Sequence, residues 1–62
     1  MSTTHQYLIA ALLPGSPPLY WTGHEWADLA PAALKWNYPN RAMSASRTLP
    51  PVQGREIIVK AA

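Results

Sequence analysis

The first pattern in the chain is a block of seven consecutive apolar residues, positions 7–13, that follows a polar start. The block ends at Pro14, before a helix of ordinary length could develop, so its length favours a strand over a helix. Residues 19–22 are all strand formers, and they follow the proline-rich residues 14–18. The two runs therefore predict a β-hairpin with a long connecting loop.

This first strand is apolar on both faces. The faces carry Tyr7, Ile9, Ala11 and Leu13 on one side and Leu8, Ala10 and Leu12 on the other. A strand without a polar face is normally covered on both sides, yet the sequence predicts only one helix to cover it. We therefore expect Leu8, Ala10 and Leu12, or else the opposite face, to remain open as a partner-binding surface. The alternative is that Trp26 or Trp36 folds back and closes the second face.

Two of the three tryptophans flank a short polar turn. Trp21 and Trp26 stand on either side of Thr22-Gly23-His24, which has the composition of a tight turn, so their side chains should lie close together. With Trp36 they are expected to form the centre of the core, because one tryptophan buries on the order of 200 Å². A proline interrupts residues 28–33, which predicts a turn or a single helical coil, then a short extended segment that brings Trp36 to the core.

The clearest helical pattern spans residues 38–49. Asn37 is a suitable N-cap, and Pro39 falls in the first turn, where its missing amide has no cost. An inward stripe is expected to face the sheet, formed by Tyr38, Ala42, Ala45 and Leu49. The opposite side should be exposed to solvent and carries Arg41, Ser44, Arg47 and Thr48. Two prolines then end the helix.

Residues 54–60 read as a turn followed by a β-branched strand. The charged ends and terminal position of this strand predict an edge strand, or one that pairs with the first strand of the hairpin. The expected fold class is therefore α+β, a small three-stranded antiparallel sheet with one helix packed on a face, in the order ββαβ. The length allows one domain, residues 1–62, of which residues 1–5 are expected to be disordered.

Composition limits how such a short chain can be stabilised. Its 62 residues include no cysteine, two histidines and three acidic residues, which excludes disulfide bonds and argues against a structural metal site. For a chain of this size, the free energy gained by burying apolar surface is about equal to the cost in conformational entropy. We therefore expect aromatic packing, the seven prolines, and association with itself or a partner to contribute to stability.

Neither a signal peptide nor a membrane span is expected. The first six residues lack the positive charges of a signal peptide, and the apolar block at 7–13 is too short to cross a bilayer. The absence of cysteine is compatible with a reducing compartment. The protein is therefore expected to be cytoplasmic.

The sequence contains no pattern typical of an enzyme or of a cofactor site. His24 and Glu25 could in principle act as acid and base beside the tryptophans, but a solvated turn ordinarily carries such polar residues. No nucleophile stands at a recognisable spacing from a base, and neither a Gly-x-Ser-x-Gly elbow nor a phosphate-binding loop is present. We expect no catalytic activity, no cofactor and no small-molecule ligand.

Basic residues leave nucleic-acid binding open as an alternative. The net charge is +2 and the isoelectric point about 9.4. Arg41 and Arg47 on the exposed side of the helix, with Arg55 and Lys60 near the last strand, could contact phosphates while an exposed aromatic ring stacks on bases. Against this, the five basic residues are spread over the whole chain and offset by three acids.

One pattern runs along most of the chain. It consists of Tyr20-Trp21-Thr22-Gly23, then Trp26, then Ala33-Leu34-Lys35-Trp36, then Ala42 and Ala45 on a helix before a β-branched strand. This pattern resembles short uncharacterised proteins encoded by bacteriophages and prophages. In those proteins the Trp-Thr-Gly turn links a hairpin to a second tryptophan. The resemblance spans most of residues 6–60 through scattered single positions, and this chain has more proline and a helix poorer in glutamate. It implies a phage or mobile-element origin and no established activity.

These observations predict a small non-enzymatic protein-interaction module that binds or modulates a host protein complex, such as a defence or transcription machine, in the host cytoplasm. The residues expected to bind the partner are Leu8, Ala10, Leu12, Arg41 and Arg47. A small basic nucleic-acid-binding protein and a homo-oligomeric structural phage protein are the two alternatives.

Overall fold

The computed structural model describes residues 5–62 and has a small α+β fold, as predicted. Residues 1–4, within the segment expected to be disordered, lie outside the described residues. No helix in residues 5–62 has the length and apolar character needed to cross a membrane. The elements are strands β1 (Tyr7–Leu12), β2 (Leu19–Trp21), β3 (Trp26–Ala27) and β4 (Glu56–Ala61), helix α1 (Pro39–Ser46) and a short 3-10 helix (Ala30–Ala32).

The strands form one antiparallel sheet in the order β3-β2-β1-β4. The predicted hairpin of β1 and β2 is present. Strand β4 pairs along the whole of β1, from Tyr7 opposite Ala61 to Leu12 opposite Glu56. It is thus both an edge strand and the partner of the first hairpin strand, so the two forms of that prediction are confirmed together.

The sheet has four strands where the sequence predicts three, because the chain returns alongside β2 after the turn at Gly23. Thr22 closes this turn, since its backbone N–H and its hydroxyl both donate to the carbonyl oxygen of Glu25, over 2.9 and 3.0 Å. Gly23 has a φ of 116°, a value that residues with a side chain rarely adopt. Trp26 then pairs with Trp21 across the two strands. The turn is as predicted, but the residues after it add a fourth strand.

The contact between Trp21 and Trp26 is confirmed, with ring centroids 5.3 Å apart and ring planes at 65°. Aromatic pairs favour this edge-to-face arrangement. Trp26 also donates its indole N–H to the carbonyl oxygen of Pro50, 3.2 Å away, which ties the hairpin to the segment after α1. Trp36 pairs with Tyr7 through two backbone hydrogen bonds of 2.7 Å. The predicted extended segment before the helix is therefore present, and it places Trp36 beside β1.

The tryptophans are only half-buried, so the expectation that they form the centre of the core is wrong. They lie on the short strands β2 and β3, towards one edge of the sheet, and on the segment that bridges to Tyr7. Fewer elements surround these positions than surround the central strand β1. Ile9 is the one large side chain in the described residues that is fully buried. The other buried residues are mostly small, namely Leu8, Ala10, Ala11, Ala33 and Ala42.

Both faces of β1 are covered, which corrects the expectation that one of them stays open. Leu8 and Ala10 are 5% and 0% exposed and pack with Ala33, which follows the 3-10 helix. Helix α1 packs against β1 and β4 on the opposite face, where Ile9 is buried. The second cover is therefore the 3-10 segment and not a tryptophan. A three-residue helix has no periodic pattern, so the sequence gives no sign of this role.

Helix α1 begins at Pro39, one residue later than predicted, and Tyr38 takes the N-cap position expected for Asn37. Tyr38 has an extended backbone, with φ −127° and ψ 127°, so its side chain does not follow the helical stripe. Its ring is 61% exposed instead of facing the sheet. The proline in the first turn is as predicted.

The helix ends at Ser46 and not at Leu49. The hydroxyl of Ser46 donates to the carbonyl oxygen of Met43 over 2.7 Å, and that of Thr48 donates to the carbonyl oxygen of Ala45 over 2.9 Å. Such local side-chain bonds compete with continuation of a helix. The remaining helix is just long enough to present the buried Ala42 to the sheet.

Arg55, in the turn before β4, joins three parts of the chain. Its Nη1 donates to the carbonyl oxygen of Ala11 in β1 over 3.1 Å and to that of Pro17 in the β1–β2 loop over 2.9 Å. The side chain is half-buried, and a charged donor forms stronger hydrogen bonds than a neutral one. Arg55 therefore fastens the proline-rich loop and β1 to the start of β4.

We expect Arg55→Met to lower the free energy of unfolding by about 2 kcal/mol, because methionine keeps much of the aliphatic stem and removes both charge-assisted hydrogen bonds. Urea unfolding followed by tryptophan fluorescence measures the change. Arg47→Met is the matched control, since Arg47 is exposed and its side chain has no hydrogen bond within residues 5–62; its effect should be below about 0.5 kcal/mol. Equal losses for the two variants would contradict the role given to Arg55.

Candidate interaction surfaces

The five residues predicted to bind a partner do not form one surface. Leu8 and Ala10 are buried in the core, and Leu12 is half-buried at the end of β1. Arg41 and Arg47 are exposed on and just after α1. The apolar and basic parts of the predicted surface are therefore separate, and most of the apolar part is inside the fold.

Arg41 and Arg47 also do not act together. The guanidinium carbon of Arg41 lies 5.9 Å from the centroid of the exposed Tyr38 ring, within the range of a cation–π contact. Arg47 is the C-cap residue, six positions further along the chain. At about 100° per residue, the two side chains leave the helix roughly 120° apart. Only the Tyr38–Arg41 pair forms a local cluster.

Two of the remaining basic residues are used within the fold. Arg55 donates to the carbonyl oxygens of Ala11 and Pro17, and Lys35 donates through Nζ to that of Ala33 over 3.1 Å. These cations therefore stabilise the chain's own backbone. The charge left for an external anion is spread over Arg41, Arg47 and Lys60.

His24 and Glu25 lie in the turn between β2 and β3. Both residues are exposed, and the hydrogen bonds of the turn join the backbone of Glu25 to Thr22. Within residues 5–62 no group of three or more histidine, cysteine, aspartate or glutamate side chains could hold a metal ion. The turn is explained by its closing hydrogen bonds alone.

The outer edge of β4 is an open sheet edge. The N–H of Ala62 donates to the carbonyl oxygen of Gln6 over 2.8 Å, one step beyond the last pair of the β1–β4 ladder. Hydrogen-bonded and non-hydrogen-bonded pairs alternate along antiparallel strands. The even-numbered residues of β4 therefore bond to β1, and the backbone groups that point away from the sheet belong to Ile57, Val59 and Ala61.

Pairing on the other side of β1 agrees with this assignment. Tyr7 exchanges both of its backbone bonds with Trp36 on the β2 side, so odd-numbered residues of β1 bond towards β2 and even-numbered ones towards β4. In the part of the chain from residue 5 to 62, no other strand lies beyond β4. The edge thus presents a row of N–H and C=O groups that can pair with another extended chain.

The side chains of β4 divide into an apolar centre and two charged ends. Ile57, Ile58 and Val59 are half-buried, whereas Glu56 and Lys60 are exposed. A surface depression of about 450 Å³ lies beside the Glu56 end and is lined by Leu12, Leu13, Pro14, Ser16 and Glu56. Four of these five residues belong to the end of β1 and the loop that follows it, so the depression lies at the β1 side of Glu56.

A second depression, of about 420 Å³, lies where the chain enters β1. It is lined by His5, Tyr7, Asn37 and Tyr38. Tyr7 lies opposite Ala61 of β4, so this depression adjoins the other end of that strand.

Comparison with known proteins gives no relative. No protein-family model matches the chain, no curated protein is similar in sequence, and no solved structure is similar in fold.

The β4 edge is not among the partner-binding residues predicted from the sequence, although a signal for it is present. Residues 56–60 place one acid and one base at the two ends of a β-branched triplet. The sequence predicts an edge strand there, but the predicted interaction surface is the apolar first strand. The error arises because β1 is apolar owing to its central position, and not because it faces a partner.

Proposed function

We propose that this chain is a small non-enzymatic protein-interaction module that binds a partner by adding a strand to the edge of β4. The observation that carries the proposal is the open row of backbone groups at Ile57, Val59 and Ala61, beside half-buried apolar side chains. Main-chain hydrogen bonds supply affinity in this mode of recognition, and alternate side chains supply specificity. The β4 edge is accessible, whereas Leu8 and Ala10, which the sequence predicts to bind a partner, are buried.

The biological setting is part of the same proposal. The resemblance of Tyr20-Trp21-Thr22-Gly23 and the following residues to phage and prophage proteins supports a phage or mobile-element origin. Small phage proteins often act by occupying a surface of a larger assembly. We propose that its partner is a host protein complex in the bacterial cytoplasm, such as a defence or transcription machine.

Val59→Pro tests the use of the edge. Proline removes the outward N–H of Val59 and leaves the bonds between β4 and β1 intact, because those belong to the even-numbered residues. We expect this variant to lose at least about tenfold in affinity for a partner strand, since it removes a central hydrogen bond of the added ladder and strains the edge. Bacterial lysate passed over immobilised wild-type and variant protein, with quantitative mass spectrometry, measures the loss.

Val59→Ala is the matched control, because it removes more of the side chain and keeps the N–H. Its captured proteins should resemble those of the wild type. Near-UV circular dichroism from the Trp21–Trp26 pair shows whether each variant keeps its fold. Equal capture by folded Val59→Pro and wild-type protein would contradict strand addition at β4.

A second candidate function is nucleic-acid binding, and one observation favours it. Tyr38 is 61% exposed, and the guanidinium of Arg41 lies over its ring. An exposed aromatic ring beside a cation is a suitable platform for stacking an unpaired base while the cation contacts a phosphate. The internal use of Arg55 and Lys35 weakens this candidate relative to the first.

The nucleic-acid candidate predicts retention on immobilised single-stranded DNA that falls steeply with added salt. If Arg41 and Arg47 each contact a phosphate, the double variant Arg41→Gln/Arg47→Gln should reduce the slope of log affinity against log salt by about 1.4. Lys35→Gln is the control, because it removes one positive charge from a residue bonded within the fold and should leave the slope unchanged. Retention that is absent, or independent of salt, would remove this candidate.

A further inference from the structure

The pattern of charges and hydrogen bonds along β4 fits a second copy of the same strand. We propose that the free protein is a homodimer in which the two β4 strands pair antiparallel, with Ile58 opposite Ile58 at a two-fold axis. The two sheets then join into one continuous sheet of eight strands. This inference rests on the proposed use of the β4 edge and names the first occupant of that edge.

The direction of the backbone groups limits the possible registers. Only odd-numbered residues of β4 point outwards, so a second copy can bond only where odd-numbered residues face one another. An axis at Ile58 meets this condition, because it puts Ile57 opposite Val59 of the second copy in two hydrogen-bonded pairs related by the axis. A slip of one residue would place outward groups opposite inward ones and lose the ladder.

The charged side chains select among the registers that remain. With the axis at Ile58, Glu56 of each copy lies opposite Lys60 of the other, so two opposite-charge pairs form. These are non-hydrogen-bonded pairs, in which side chains approach most closely. Centring the axis on Ile57 would place Glu56 opposite Ile58, and centring it on Val59 would place Lys60 opposite Ile58. The strand is thus complementary to itself in one register.

The thin core gives the chain a reason to associate. In residues 5–62, four of the six buried apolar residues are alanines, and Ile9 is the only large side chain that is fully buried. A chain of about 60 residues without cysteine has little stability to spare. Pairing of β4 would cover Ile57, Ile58 and Val59, which are half-buried in the single chain. It would also remove the open edge, which otherwise favours uncontrolled pairing.

Charge reversal tests the register. We expect Glu56→Lys or Lys60→Glu alone to raise the dimer dissociation constant by at least about tenfold, because either change turns both cross-strand pairs into like-charge pairs. An equimolar mixture of the two single variants should form a heterodimer with near wild-type affinity, since every pair is again of opposite charge. Sedimentation velocity over a range of concentrations measures the dissociation constants of the wild type, of each single variant and of their mixture.

The mixture also controls for folding, because a misfolded variant would not be rescued by another. Glu25→Lys and Arg47→Glu make the same charge changes at exposed positions outside β4, and both should dimerise as the wild type does. A wild-type chain that stays monomeric at millimolar NMR concentrations would overturn the dimer. A dimer that is indifferent to the reversals, or variants that do not recover on mixing, would overturn this interface.

A cross-link gives an independent measure of the same register. The chain has no cysteine, so Ile58→Cys introduces a single thiol. In the proposed dimer the two Cα atoms at this position are about 4.5 Å apart, a separation that a disulfide can bridge. Oxidation should give a covalent dimer, whereas Ile57→Cys, which would face Val59 of the second copy, should not. Efficient cross-linking of Ile57→Cys with none of Ile58→Cys would contradict the axis at Ile58.

Failure of this inference can be told apart from failure of the proposed function. If the wild type is monomeric and Val59→Pro abolishes its capture of a host protein, the β4 edge is a binding site but a second copy does not occupy it. If the wild type is monomeric and Val59→Pro changes none of its associations, both the dimer and the proposed function are wrong.

Discussion

The structure depends on the complete burial of β1. Four consecutive residues, Leu8, Ile9, Ala10 and Ala11, are 5% exposed or less, so the strand must have a neighbour on each side and a cover on each face. The neighbours are β2 and β4. The covers are α1 and the 3-10 segment that ends at Ala33. Every other element except β3, which pairs with β2, meets one of these four requirements.

This arrangement uses nearly all the secondary structure that the chain has. Once β1 is enclosed, no strand in the described residues is left to cover the far side of β4, and the two-residue β3 alone protects the opposite end of the sheet. Alanines at the covering positions allow both layers to approach closely, but they contribute little buried area. The cost of enclosing β1 in so short a chain is therefore an open edge and a small core, and both favour association through β4.

The sequence predicted the elements better than the surfaces. The apolar block at 7–13, the Thr22-Gly23-His24 turn and the β-branched terminal strand each have a local signal, and each appears in the fold. The fourth strand, the cover by Ala33 and the exposed ring of Tyr38 depend on where the chain turns back in three dimensions. The partner-binding surface is misplaced in the sequence prediction for the same reason. Burial of Leu8 and Ala10 could not be recognised without knowing that a proline-containing 3-10 helix closes the second face.

Amide hydrogen exchange along β4, measured by NMR at low and high protein concentration, tests the pairing of this edge most directly. We expect Ile58 and Lys60 to exchange slowly in both samples, because their N–H groups bond to β1. Ile57 and Val59 should exchange rapidly in the dilute sample and become protected in the concentrated one, as the second copy pairs with the edge. Protection of Ile57 and Val59 that does not change with concentration, or rapid exchange of both in every sample, would rule out the dimer through β4.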